Sequence, residues 1–184
     1  MLFSHDTEHS LACAVDLVNS APSGSYDEGL PDLAALQDFV RRHDVSEVGR
    51  LTQSDLAAVH RLRDSVRDVF TAPDDSAAAV IINKLVSQAG VTPRLTDHDG
   101  YDWHVHYFTP GASLADHLAL DCGMALAQVV SAGESERLRR CEAPDCDQVL
   151  VDLSRNRSKR YCDARTCGNR LHVAAYRERQ RAGH

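Results

Sequence analysis

Apolar residues recur at intervals of three and four over most of the first 90 positions, the period of helices with one buried face. Leu11, Ala14, Val15 and Val18 predict a helix over residues 7–20, ended by the loop Ala21-Pro22-Ser23-Gly24-Ser25. Pro31 predicts the opening of a second, with Leu33, Leu36, Phe39 and Val40 inward. Proline suits a first helical turn because its missing N–H had no partner there. A third helix starts at Thr52 or Ser54 and aligns Leu56, Val59, Leu62, Val66, Val69 and Phe70, with Thr52 and Asp55 as a capping pair. A fourth runs from Pro73 to Gln88 on Ala78, Ile81, Ile82, Leu85 and Ala89, with Gly90 as its stop.

The period then changes. Val91–Leu95 and Trp103–Phe108 read as two short strands around the polar turn Thr96-Asp97-His98-Asp99-Gly100. Pro110-Gly111 breaks the chain, and Ser113 caps a long helix to Ser131 that buries Leu114, Leu118, Cys122, Ala125, Leu126 and Val129. Gly133 closes it. Residues 1–136 are therefore expected to form a mostly helical domain with a small antiparallel sheet.

Charge divides the chain at the same place. The net formal charge is −7, yet residues 1–136 carry eight basic and twenty-one acidic side chains, a net of −13, and residues 137–184 carry twelve against six, a net of +6. An acidic body bearing a basic module points to polyanion binding by the tail, or to a tail that docks on its own body. With 43% hydrophobic and 26% charged residues in 184, the composition is globular. No apolar stretch approaches the ~18–20 residues of a membrane helix. The start Met1-Leu2-Phe3-Ser4-His5-Asp6 lacks the basic and apolar regions of a signal peptide, so no membrane partner and a cytoplasmic location with reduced cysteines are expected.

Four of the six cysteines fall in the basic segment as Cys141-x4-Cys146 and Cys162-x4-Cys167, fifteen residues apart. Two close pairs, each offering two ligands from one turn, are the layout of a four-thiolate zinc site. Two disulfides, or thiols that merely pack, are the alternatives. A segment this short cannot bury enough apolar area to fold unaided, whereas a structural zinc contributes ~10 kcal/mol or more. Four thiolates leave no open coordination position, which favours one structural Zn²⁺ over a catalytic one. Cys13 and Cys122 lie on apolar helical faces and are expected to pack in the core.

Arg140-Cys141, Val149-Leu150-Val151-Asp152-Leu153-Ser154-Arg155-Asn156, Arg160-Tyr161-Cys162 and Cys167-Gly168-Asn169-Arg170 resemble the CGNR zinc finger, named for that last tetrapeptide. The N-terminal part is similar to the domain found with it, ABATE, through Asp16-Leu17-Val18-Asn19 and the Trp103-His104-Val105-His106 strand. Tyr161 stands where members commonly carry tryptophan. The resemblance covers nearly the whole chain. It implies a bacterial, zinc-dependent, stress-induced transcription regulator, with zinc on Cys141, Cys146, Cys162 and Cys167. It further implies a DNA-binding finger at 137–184 and an N-terminal domain at 1–136 that senses an effector. The fold class expected is α+β, a mostly helical domain with a small antiparallel sheet followed by the four-cysteine finger.

The basic residues available to duplex DNA fall into two sets. Arg155, Arg157, Lys159 and Arg160 crowd one polar loop, and Arg170, Arg177 and Arg181 share a face of a helix that starts near Cys167. Leu171, Val173, Ala174 and Ala175 give that helix an apolar side to lay on the zinc core. Arginine favours bidentate contacts with phosphate or guanine. Arg170 has a second use, donation to the cluster thiolates, and Asn169 a structural one. Only Tyr161 and Tyr176 are aromatic here, so duplex rather than stacked single strands is the expected partner.

In the body, His104 and His106 alternate along a strand and with His98, His117 and Asn19 are candidate ligand-binding residues for a small-molecule effector or a second metal. A polar sheet face is the other reading. His5 and His9 are expected at the surface. No nucleophile elbow, phosphate-binding loop, dinucleotide fingerprint or H-E-x-x-H is present, so an enzyme is not expected. A finger that docks proteins, and a homodimer, both stay open.

Overall fold

The computed structural model describes residues 3–23, 26–46, 48–89, 91–96, 104–108 and 111–182. Five helices make up its acidic part: α1 (His5–Asn19), α2 (Leu33–Arg42), α3 (Gln53–Phe70), α4 (Asp75–Gln88) and α5 (Leu114–Ser131). Each begins behind a Ser, Thr or Asp whose side-chain oxygen accepts from the amide three residues on. The pairs are Ser4–Thr7, Asp32–Ala35, Thr52–Asp55, Asp74–Ala77 and Ser113–Asp116. Such caps contribute about 1 kcal/mol each. Thr52 and Asp55 form the reciprocal box that their spacing predicts. Pro31 and Pro73 do not open helices, because Asp32 and Asp74 supply the cap and leave each proline one residue outside.

Helices α2 and α5 end alike. Asp44 (φ 47°) and Gly133 (φ 68°) turn left-handed, and the amides of Val45 and Glu134 reach back to Val40 and Val129 at 3.1 and 3.0 Å. Glycine is the natural residue there, and Asp44 achieves it at a modest steric cost.

The core lies where α5 packs against α1, α3 and α4, around Leu11, Leu17, Val59, Val66, Leu118 and Leu126. Gly123 lets α4 come close, since a Cβ there would lie 3.0 Å from Val86 Cγ2. Cys13 and Cys122 are both buried in this core, as expected. The Cys122 thiol beside Cys13 and burial together hold the Cys13 thiol well above its ordinary range.

Strands β1 (Val91–Thr96) and β2 (His104–Phe108) pair antiparallel with a register shift between Val91 and Arg94, where Pro93 removes a ladder donor. β2 leans on α5. The turn at 97–100, Trp103, Gly90 and Pro110 lie outside the described residues.

Beyond α5 a short 3-10 turn (Ser135–Arg137) leads into β3 (Leu138–Arg140), which pairs antiparallel with β4 (Val149–Val151). Val149 and Val151 belong to the same apolar core as the helices, with β4 beside α1. A single π-helical turn (Ala164–Gly168) and α6 (Asn169–Ala182) follow.

Candidate metal centre and basic surface

The β3–β4 hairpin places the first cysteine pair. Cys141 follows β3, and its amide donates to Gln148 O at 2.8 Å, extending the ladder by one rung. The chain then turns through Ala143-Pro144-Asp145-Cys146, closed by Cys146 N–H to Ala143 O at 3.1 Å, with proline at the position whose φ it presets. Glu142 N–H to Arg160 O at 3.0 Å ties this knuckle to the chain that brings in Cys162. The π-helical turn supplies Cys167.

The four sulfurs lie within 4.8 Å of one another, with Cys146–Cys162 and Cys162–Cys167 both at 3.8 Å. A tetrahedron with Zn–S bonds of about 2.3 Å has edges of about 3.8 Å. A disulfide would require about 2.05 Å, so the four are free thiols arranged for a metal. Cys141, Cys146 and Cys167 are buried and Cys162 is half-buried, which suits a closed structural site. Burial pushes the Cys146 thiol up to about 11 and raises Cys162 as well, so metal binding displaces their protons.

Zinc with four thiolates carries a net −2, and the surrounding donors face that charge. Cys162 N–H lies 3.4 Å from Cys141 Sγ, Arg170 Nη2 3.8 Å from Cys167 Sγ, and Tyr26 Oη 3.7 Å from the same sulfur. Arg170 is also held by Asp145 in a two-point ion pair at 2.5 and 2.6 Å. The guanidinium thus braces the first knuckle against the fourth ligand. Asn169 opens α6 and is exposed.

The helical body grips this segment at several points. The Asn19 amide, at the end of α1, donates to Val149 O at 2.9 Å and accepts from Val149 N–H at 2.8 Å. It thereby satisfies the outer edge of β4 as a neighbouring strand would. Gln148 returns a bond to Asn19 O, and Arg67 of α3 joins Val18 O to Asp147 O at 2.9 Å each. Asn19, expected to face a ligand, has its side chain committed to the finger. Its position at a helix terminus was visible in the sequence, but its partner 130 residues on was not.

Asp152 organises the basic loop. Fully buried, it accepts from Ser154 N–H and Oγ and from Lys159 N–H, at 2.9, 2.5 and 2.8 Å. The cations of the finger then divide. Arg157 pairs with Glu134 and Glu136, Arg160 with Glu142, Arg140 with Asp147 and Arg170 with Asp145. Arg155, Lys159, Arg177 and Arg179 are exposed and carry no ion pair among the described residues. The Arg181 side chain lies outside them. Val173 is 46% exposed and Tyr176 57%, so at these positions α6 does not lay an apolar side on the zinc core. The side chains of Leu171, Ala174 and Ala175 are outside the described residues.

His104 and His106 take ladder positions opposite Thr96 and Arg94, and their side chains are outside the described residues, as is His98. Among the described residues, the cysteine cluster is the group of histidine, cysteine and carboxylate donors that converges as a metal site does. His9 is half-buried rather than at the surface, and its Nε2 lies 2.9 Å from His43 O.

A four-cysteine zinc finger fastened to a helical domain is the class that this fold and centre define. Residues 137–180 match the CGNR zinc finger, and residues 11–133 match ABATE, described as a putative stress-induced transcription regulator. The chain belongs to the ABATE family and carries a CGNR zinc finger whose four clustered cysteines fit one structural zinc. No curated protein matches it. None of the helices among the described residues is long and apolar enough to cross a membrane.

Proposed function

We propose that the protein is a zinc-dependent transcription regulator, with residues 137–184 holding duplex DNA and residues 1–136 responding to a small molecule. The observation that carries the first part is the set Arg155, Lys159, Arg177 and Arg179, exposed cations without an ion pair among the described residues, on a zinc-fastened segment of an otherwise acidic chain. Helix α6 leaves the zinc centre with Val173, Tyr176, Arg177, Arg179 and Gln180 exposed, a surface that a DNA groove would cover. Arg157, Arg160 and Arg170 are spent largely on internal carboxylates, so they shape the loop more than they reach for phosphate. For the second part, a cavity of about 330 Å³ between α1, α5 and β2 offers the body a place for a ligand.

The test is fluorescence anisotropy of the zinc-loaded full chain on a duplex of arbitrary sequence across a salt series. Log affinity is expected to fall with a slope near −0.9 per phosphate contacted, hence about −3 to −4 for four cations. Arg177→Ala with Arg179→Ala should flatten the slope by about two with zinc retained. No binding to any duplex at low salt refutes DNA recognition. Binding of an acidic protein with a shallow slope would favour the finger as a protein-docking module.

A further inference from the structure

We infer that the cavity between α1, α5 and β2 binds a small organic cation, an amine carried on an apolar body; this rests on the reading that the helical part senses a small molecule. At about 330 Å³ the cavity lies in the range of small-molecule pockets, roughly 300–1,000 Å³. Its walls differ in character. Val45, Leu118, Met124 and Tyr107 supply an apolar side, and Asp6, Asp44 and Asp121 supply carboxylates. No lysine or arginine lines it among the described residues, and it opens from a body of net charge −13. The field in such a cleft concentrates cations and repels anions.

One further feature suits a bound amine. Asp121 is 31% exposed and fixed by His117, whose Nε2 lies 3.1 Å from Asp121 Oδ2, so one carboxylate is oriented and still accessible. His43 also lines the cavity, and its buried Nε2 lies 3.1 Å from Asp16 Oδ2. Among the described residues, the cavity's histidines and carboxylates do not gather into a metal-binding group, and the apolar wall suits an organic ligand.

The experiment uses the zinc-loaded full chain without DNA and three probes that share one ring: 2-phenylethylamine, 2-phenylethanol and phenylacetate. Calorimetry is expected to show the amine binding at least tenfold more tightly than the alcohol, and no binding of the acid. Asp121→Asn should erase the preference for the amine over the alcohol. Met124→Trp, which fills the apolar side, should abolish binding of both. Circular dichroism and zinc content confirm that each variant is folded. Equal binding of all three probes, or of none, overturns the proposal. Amine binding that survives Met124→Trp also overturns it, yet leaves sensing by the helical body standing at another place. Failure of the protein to hold DNA would change none of these readings.

Discussion

Replacing Asn19 by alanine tests whether the helical body holds the finger through one amide. Val149 is 1% exposed, and both its N–H and C=O use the Asn19 side chain. Truncation strips two buried backbone groups of their partners at once, at about 1–3 kcal/mol each. Water entering the small gap returns part of this, so a net loss of about 2–4 kcal/mol is expected. For a chain of this size that lowers Tm by about 5–15 °C. Asn19→Asp has nearly the same shape and can still accept from Val149 N–H, but it faces Val149 O with a second acceptor, so it should not rescue. The assays are urea denaturation followed by circular dichroism, and zinc release to a colorimetric chelator. Zinc should leave faster from Asn19→Ala, although no ligand has changed, because β4 carries the first knuckle. A stability loss under 0.5 kcal/mol with unchanged zinc release would refute this account of the joint.

Three further outcomes are expected. Elemental analysis of the purified chain should give one zinc, and Cys162→Ser should lose it, unravelling the chain from residue 153 through α6. The dichroism of α1–α5 should remain; loss of the entire helical signal would show that the zinc centre supports the whole core. Glu28 pairs with the buried Arg63 at 2.6 and 2.7 Å, and that pairing holds its carboxyl below the usual range. A depressed carboxylate contributes stability that is fully present above the unfolded value near 4.5 and is lost as pH falls through the lower folded one. Glu28→Gln should therefore cost about 1–3 kcal/mol at pH 7 by urea titration, with the cost shrinking as pH falls below 4.5 toward the lower folded value, and a pH-independent difference would contradict the pairing.

Local structure was legible because its causes are local. The stripe Leu56–Phe70 and the Thr52–Asp55 box mark α3 almost to the residue, and Ser113 marks α5 in the same way. Cysteine spacing marked the metal centre because each knuckle is one turn long. What spacing cannot carry is which distant groups meet. Nothing near Asn19 announces Val149, and nothing near Tyr26 announces Cys167. The cations of the tail look equivalent in sequence, yet Arg157, Arg160 and Arg170 find carboxylates, whereas Arg155, Lys159, Arg177 and Arg179 make no ion pair among the described residues. That division depends on how the knuckles fold back on Glu134, Glu142 and Asp145, which only tertiary structure decides.

The bond from Asn19 to β4 also bears on how tightly the metal is held. β3 and β4 fix Cys141 and Cys146 on a scaffold whose stability comes from the helices, so half of the coordination sphere is assembled before any ion arrives. Only the second pair must then be gathered in, and closing a loop of that length adds little, since its entropy grows only as the logarithm of chain length. An excised finger would have to order both halves at the moment of binding. The helical body therefore acts as a fixed jaw against which zinc closes a movable one, and metal affinity in the intact chain becomes partly a property of residues that never touch the ion.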